Sequence, residues 1–293
     1  MFRMVCVLAL ICAATTASAD IRKVRFDFAG QTRSYLLYVP DRPAAGPRPL
    51  VLVLHGGGGS AREVRISTKR GFERLADREG FYVVYPDAIG RIWDTGHGEI
   101  SSRLEPRRDD LGFLKAVIER VSDGVPIDGQ RIFATGISRG GQASYMLACE
   151  TEGLVRAIAP VAMTLPAAQA KACPKQGPVG FLLVMGTEDP IVPYAGGQIE
   201  IFGQARDRVL SADATFHAFL RRNGCTGTET LAPKGQVARD AGTGCRAPVQ
   251  IDRVEGGGHS WPSGRKMLGT GRSGPVSHDI SAAEEIWGFF SKF

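Results

Sequence analysis

Residues 131–149 read RIFATGISRGGQASYMLAC, an apolar run, a serine flanked by glycines, and then helical spacing. Gly136-Ile137-Ser138-Arg139-Gly140 fits the pattern G-x-S-x-G, with a strand signal on one side and a helix signal on the other. A serine at so sharp a strand-to-helix turn takes a strained backbone conformation. Glycines two positions either side remove the Cβ atoms that would collide with neighbouring chain. Such a turn lifts the Ser138 hydroxyl clear of the sheet and aims the first helix amides, Arg139's among them, at the same space. The plainer alternative is a glycine-rich turn in which Ser138 only caps the helix.

Strand and helix signals alternate around this turn. Arg33 to Val39 alternates as a half-exposed strand, whereas LVLVL at 50–54 and FYVVY at 81–85 are continuous apolar runs of the kind buried on both faces of a sheet. Phe72 to Glu79 has helical spacing and stops at Gly80. Leu111 to Val121 follows Asp109-Asp110, acidic charge at a helix start where the macrodipole favours it. Further strands are expected at Arg131 to Ala134, Ala157 to Val161, Gly180 to Met185 and Val249 to Val254, and helices at Gly141 to Cys149, Asp213 to Arg222 and Ser281 to Phe290. The fold class is therefore α/β, a mainly parallel central sheet with helices on both faces. No repeat, low-complexity linker or composition break divides residues 20–293, so they read as one domain. Ala88 to Arg108 is the longest stretch without periodicity, and loops of that length are functional or mobile.

The first residues answer the question of compartment. Arg3 precedes the short apolar run Val5 to Ala14, and Ala17-Ser18-Ala19 forms an A-x-A site before Asp20. Residues 1–19 thus read as a signal peptide cleaved near Ala19, and the mature chain as secreted, periplasmic or extracellular. The apolar run is short of the ~20 residues a bilayer span needs, and no later segment is long enough, so no stable membrane insertion is expected. Cys12 follows the bulky Ile11, the wrong neighbour for lipidation. Loss of the leader removes Cys6 and Cys12 and leaves Cys149, Cys173, Cys225 and Cys245. Four cysteines in an exported chain suggest two disulfides. Three pairings are possible, and sequence neighbours, Cys149 with Cys173 and Cys225 with Cys245, close modest loops. There is no C-x-x-C and no histidine at ligand spacing, so no metal site is implied. The formal charge is +6, but the basic residues are scattered without interleaved aromatics, which argues against a nucleic-acid partner.

A serine hydroxyl is a poor nucleophile at neutral pH unless a base, usually histidine, takes its proton and an acid holds that histidine's tautomer. On α/β-hydrolase sheets the order along the chain is serine, acid, histidine. Only His217, His259 and His278 follow Ser138. His217 falls inside an amphipathic helix and His278 at the start of the last one, whereas His259, in VEGGGHSWP, follows a buried strand and three glycines. Open α/β sheets keep their sites at strand carboxyl ends, which favours His259. FLLVMGTEDPIVPY supplies a strand and then Glu188 and Asp189; Asp189, before the loop-fixing Pro190, is the first choice and Glu188 the reserve. Asp87 precedes the serine and reads as a loop cap.

LVLVLHGGGGS sets Gly56 to Gly59 directly after an early strand, where Gly57 or Gly58 can donate a second amide beside that of Arg139. The run lacks the G-x-G-x-x-G of a dinucleotide loop, and Ser60 onward is polar. His55 reads as a residue that holds this loop. Trp93, Met163 and Trp261 follow expected strands and are candidates to line a substrate pocket, with ordinary packing as the alternative.

These segments, with VVYPDAIGRIWDTG, DDLGFLKAVI, MGTEDPIVPYAGG, GGGHSWPSG and EEIWGFF, make the chain similar to the secreted esterase family that groups polyhydroxybutyrate depolymerases with feruloyl and acetyl-xylan esterases. The resemblance covers nearly all of residues 20–293. It implies an α/β-hydrolase fold, a Ser138, Asp189, His259 triad, no cofactor, and ester hydrolysis through an acyl-enzyme on hydroxyalkanoate oligoesters or feruloyl or acetyl esters of plant-wall polysaccharide. A peptidase on the same fold would use the same triad, and a non-catalytic hydrolase-fold binding protein would usually lack a member of it. Two departures stand out. The family usually has a small polar or amide residue after the nucleophile, where Arg139 here either brings positive charge to the site rim or points outward. The chain also ends at Phe293 without the linker and polymer-binding module of the extracellular polymer depolymerases, which favours soluble oligoesters or wall oligosaccharides as substrates.

Overall fold

A continuous apolar run such as LVLVL is best satisfied where a sheet is covered on both sides. A computed structural model shows that arrangement; it describes residues 20–41, 46–171, 173, 177–201, 203–266 and 273–293. The expected signal peptide, residues 1–19, lies outside the described residues.

The strands are β1 (Asp20–Phe28), β2 (Gln31–Val39), β3 (Arg48–Leu54), β4 (Tyr82–Pro86), β5 (Ile127–Ile137), β6 (Ala157–Val161), β7 (Gly180–Gly186), β8 (Gly197–Ile201), β9 (Gln204–Val209), β10 (Gly227–Lys234), β11 (Val237–Thr243) and β12 (Val249–Val254). The helices are α1 (Ala61–Ser67), α2 (Gly71–Glu79), α3 (Gly98–Ser102), α4 (Asp110–Gly124), α5 (Arg139–Glu150), α6 (Ala167–Ala170), α7 (Ala212–Asn223) and α8 (Ala282–Phe290). Ten strands form one sheet in the order β1-β2-β4-β3-β5-β6-β7-β12-β11-β10, and β8 pairs with β9 in a separate hairpin. The run from β4 to β12 through β3, β5, β6 and β7 is parallel, and the edges are antiparallel.

Side chains of β3 divide between two cores. Leu50, Leu52 and Leu54 face the cluster that holds Phe113 and Leu114 of α4, Tyr145 and Met146 of α5, and Phe216 and Phe219 of α7. Val51 and Val53 face the other, with Phe72 and Leu75 of α2 and Ile286, Phe289 and Phe290 of α8. Burying each such side chain contributes roughly 1.5–3 kcal/mol, so the parallel strands are the stable frame on which the loops sit. Helix ends follow from local chemistry. Asp109 accepts from the Gly112 amide at the start of α4, and Gly80 ends α2 in the left-handed conformation that glycine adopts without penalty.

The polar elements are the ones that composition hides. β1 and the β10–β11 hairpin alternate charged and polar residues, and their strand character comes from antiparallel pairing along their length. α1 forms after the polar Ser60, whose hydroxyl accepts from the Glu63 amide. α3 and a 3₁₀ turn at Ile89–Arg91 lie inside the aperiodic stretch 88–108. Cys149 is bonded to Cys173 and Cys225 to Cys245, the neighbour pairing, closing sequence separations of 24 and 20. No helix among the described residues is long and apolar enough to cross a membrane.

Candidate active site

Ser138 stands between β5 and α5 with φ 56° and ψ −123°, a conformation costly for any residue with a side chain. Its amide donates to the Val161 carbonyl at 3.0 Å and its carbonyl accepts from the Gln142 amide at 3.0 Å, so neighbouring strand and helix hold the turn. A Cβ on Gly136 would lie 2.4 Å from the Gly140 carbonyl carbon, and one on Gly140 2.3 Å from the Leu54 carbonyl oxygen. The flanking glycines are therefore clearance for backbone packed on backbone, and β3 is the wall behind them.

Asp189 follows β7 and His259 follows β12, so both reach the same carboxyl-end face of the parallel strands as Ser138 after β5. Asp189 Oδ1 accepts from the amides of Ile191 at 2.8 Å and Val192 at 2.9 Å, which fixes the carboxylate. Its Oδ2 lies 2.8 Å from His259 Nδ1, with side chains 0% and 2% exposed. A carboxylate can only accept, so Nδ1 carries the hydrogen and Nε2 is the basic nitrogen. The His259 amide donates to Ser273 O at 2.6 Å and the Gly258 amide to Pro275 O at 2.9 Å. A Cβ on Gly186 would sit 2.2 Å from Gly257 O, which is why glycine is needed where these two strand-end loops touch. Glu188 is exposed. Among the described residues the Ser138 hydroxyl makes no hydrogen bond with His259. In unliganded hydrolases this contact is often long and tightens only around substrate.

The structure separates the two candidate amides after β3. Gly58 donates its amide to Arg91 O at 2.8 Å, and Gly59 donates to Gly56 O at 3.0 Å. The Gly57 amide has no such partner among the described residues, the residue is exposed, and its Cα faces Arg139, whose Cβ is 3.8 Å from where a Gly57 Cβ would be. His55 holds the loop from beneath. The Ala88 amide donates to its Nε2 at 3.1 Å, so Nδ1 carries the hydrogen and donates to Gly56 O at 2.8 Å. Burial lowers the His55 pKa and keeps the ring neutral. Asp87 accepts from the Ala61 amide at 2.7 Å and caps α1. His217 and His278 are both exposed.

Arg139 departs from expectation: it neither charges the rim nor points outward. The residue is 4% exposed, and its guanidinium donates to Trp93 O at 2.9 Å, Gln142 Oε1 at 2.6 Å, Asp207 Oδ2 at 2.7 Å and Ser101 Oγ at 2.7 Å. The three candidate lining residues are all buried, at 2% exposure or less. Trp93 is 0% exposed, lies against the His55 ring and donates Nε1–H to His55 O at 2.8 Å. Met163 sits against Gly141 and accepts a hydrogen bond from Tyr145. Trp261 packs edge-on to Phe72 within the core.

Sequence reasoning missed how residues 88–108 are held. Asp94 accepts from the Arg107 guanidinium and the amides of Arg108 and Gly96, while its own amide donates to Asp110. Asp110 pairs with Arg33 at 2.6 Å. The only sequence signal was the density of charge in EPRRDD. No cluster of three metal-ligating side chains is present among the described residues.

No family model matches the chain. It is 30% identical over 275 residues to "Putative esterase NocK" of Nocardia uniformis subsp. tsuyamanensis, covering 87% of this chain and 78% of that protein. It is 28% identical over 278 residues to feruloyl esterase D of Neurospora crassa, covering 90% and 83%. An acetyl xylan esterase from Aspergillus awamori superposes with a TM-score of 0.58 at 15% identity over 93% of this chain and 99% of that one. A thermostable esterase does so with a TM-score of 0.60 at 17% identity over 93% of this chain and 63% of the other. At such identities these two structures speak to the α/β-hydrolase fold alone, and the sequence relatives speak to kinship. With a strained serine, a buried acid–histidine pair and open amides on one face of that fold, the chain belongs to the esterase family that includes the feruloyl esterases, and it is a carboxylic ester hydrolase.

Proposed function

We propose that this esterase works through an acyl-enzyme formed on Ser138, and that its substrates are feruloyl esters of plant-wall saccharides, the acyl group named in its relatives. His259 Nε2 takes the hydroxyl proton as Ser138 Oγ attacks the ester carbonyl. The amides of Arg139 and Gly57 donate to the oxyanion of the tetrahedral intermediate. His259 then gives its proton to the leaving alcohol oxygen; in the second half-reaction it takes a proton from the water whose oxygen attacks the acyl carbon and returns it to Ser138 Oγ as the C–Oγ bond breaks and the acid leaves. Asp189 keeps Nδ1–H pointed at itself and stabilises the imidazolium in both steps. The observation that carries this reading is the buried Asp189–His259 pair at 2.8 Å on the strand-end face that also bears the φ 56° serine.

Export of a single domain over residues 20–293 is part of the same reading. Its support is the leader-like composition of residues 1–19 and four cysteines paired in two disulfides, bonds that persist in oxidising compartments. Ser138→Ala is expected to lower kcat on p-nitrophenyl acetate by at least about 10⁴-fold with an unchanged thermal transition. In a matched panel of methyl ferulate, acetylated xylo-oligomers and hydroxybutyrate oligomers, methyl ferulate should show the highest kcat/KM. A lead by hydroxybutyrate oligomers would overturn the substrate and leave the serine standing.

A further inference from the structure

The two halves of the oxyanion site described above come from loops far apart in the chain, Gly57 after β3 and Arg139 after β5. A spacing between two amides must be held to within a fraction of an ångström if both are to meet one oxygen. Pairing of β3 with β5 and the packing of Gly140 on Leu54 O set the two loops side by side, and a second tie between them runs through side chains.

A connected line of hydrogen bonds runs between them. Arg139 Nε donates to Trp93 O at 2.9 Å, Trp93 Nε1 donates to His55 O at 2.8 Å, and His55 Nδ1 donates to Gly56 O at 2.8 Å, one residue before Gly57. The far end is anchored as firmly. Arg139 Nη1 meets Asp207 Oδ2 at 2.7 Å, with the two side chains 5% and 3% exposed. Asp207 belongs to β9 and its Oδ1 accepts from the Ile100 amide at 3.2 Å, while Arg139 Nη2 donates to Ser101 Oγ at 2.7 Å. Burial works against the charge of Arg139, and Asp207 opposes that effect from directly alongside. A planar guanidinium is suited to this junction, since it donates to four groups in fixed directions, which a lysine ammonium cannot do.

We propose that the Arg139 side chain, Asp207 and Trp93 are positioning residues that set the distance between the Arg139 and Gly57 amides. The β8–β9 hairpin, through Asp207, thereby takes part in transition-state stabilisation. The proposal rests on the catalytic roles given above. A purely structural role for the same network would lower the melting temperature and leave kcat of the folded enzyme alone.

Arg139→Met by itself leaves Asp207 buried and unpaired and threatens folding. The informative variants are the double variant Arg139→Met/Asp207→Asn, Arg139→Lys, and Trp93→Phe, which keeps a ring and deletes the Nε1 donor. Each is measured for kcat and KM on p-nitrophenyl acetate, for inhibition by an aryl trifluoromethyl ketone that forms an oxyanion on Ser138, and for inhibition by the carboxylate product. The expected result in variants that remain folded is kcat lower by about 10- to 100-fold with KM within about 3-fold. Affinity for the ketone should fall in step with kcat/KM while product affinity holds, and Arg139→Lys should fail to restore wild-type kcat. Wild-type kcat in folded Trp93→Phe and in the folded double variant overturns the proposal, as does an equal loss of ketone and product affinity. Survival of activity in Ser138→Ala would instead overturn the catalytic assignment beneath it.

Discussion

The Ser138 turn and the segment beside it, residues 88–108, lie against each other and are stabilised by opposite means. The turn is held by the absence of side-chain atoms, since Gly136 and Gly140 bring backbone to within contact of backbone and leave no space to adjust. The segment is held by charge, with Arg33, Asp94, Arg107, Asp110, Arg139 and Asp207 supplying the contacts that its irregular backbone cannot make for itself. Close packing gives one rigid geometry for Ser138. Ion pairs at the ends of long side chains hold a loop whose sequence has no periodicity of its own.

That contrast can be broken most severely at Arg33. Arg33→Met strands the Asp110 carboxylate, 0% exposed, beside the Asp94 amide, and should cost about 3–5 kcal/mol in urea unfolding. The double variant Arg33→Met/Asp110→Asn should recover most of that loss, and a full loss in the double variant would mean that shape, not charge, holds the segment. Gly140→Ala comes next. A methyl group 2.3 Å from Leu54 O must push β3 or the turn aside, for about 1–3 kcal/mol of stability and a loss of esterase activity far larger than the stability change implies. Tolerance of this change with full activity would show that the turn is not closely packed. The smallest effect belongs to Arg107, 53% exposed, where Arg107→Ala should cost about 0.5 kcal/mol because solvent screens its pair with Asp94.

The same carboxylate makes a pH test. Burial alone would raise the Asp94 pKa, but the Arg107 guanidinium and the amides of Arg108 and Gly96 outweigh it, so the group titrates below its ordinary value. A folded-state pKa below the unfolded one adds stability at and above the ordinary aspartate range, about 4, and loses it as pH falls below that range. Urea unfolding followed by near-ultraviolet circular dichroism should show the wild type more stable than Asp94→Asn at neutral pH, with the difference shrinking as pH falls below the ordinary aspartate range and the two converging in strong acid.

Legibility in the sequence follows the same division. Strands with both faces buried and the glycines at 136 and 140 are local patterns, readable because each depends on residues a few positions apart, and Ser138, Asp189 and His259 each stand a few residues past such a strand. Asp189 over Glu188 was open to the same reasoning, since Pro190 shapes the loop that points Asp189 inward and leaves Glu188 exposed. The choice of Gly57 over Gly58 was not, because it turns on a hydrogen bond from Gly58 to Arg91, whose position depends on how the 88–108 loop folds back. Arg139 was visible as an exception to the family pattern, but its direction depends on Trp93, Ser101 and Asp207, partners up to 68 residues away. Trp93, Met163 and Trp261 were placed near the site by their strands, and only packing reveals that their side chains turn inward. β1 and β10 escaped because edge strands take their stability from pairing and keep polar faces, and β11, between β12 and β10, owes its strand character to the same antiparallel pairing.

The most direct test of the central claim is covalent. Treatment of the folded enzyme with a fluorophosphonate, followed by intact mass and peptide mapping, should give one adduct per chain, located on Ser138, absent in Ser138→Ala and formed far more slowly in His259→Ala. An adduct on any other residue, or an active enzyme that takes none, would contradict the account.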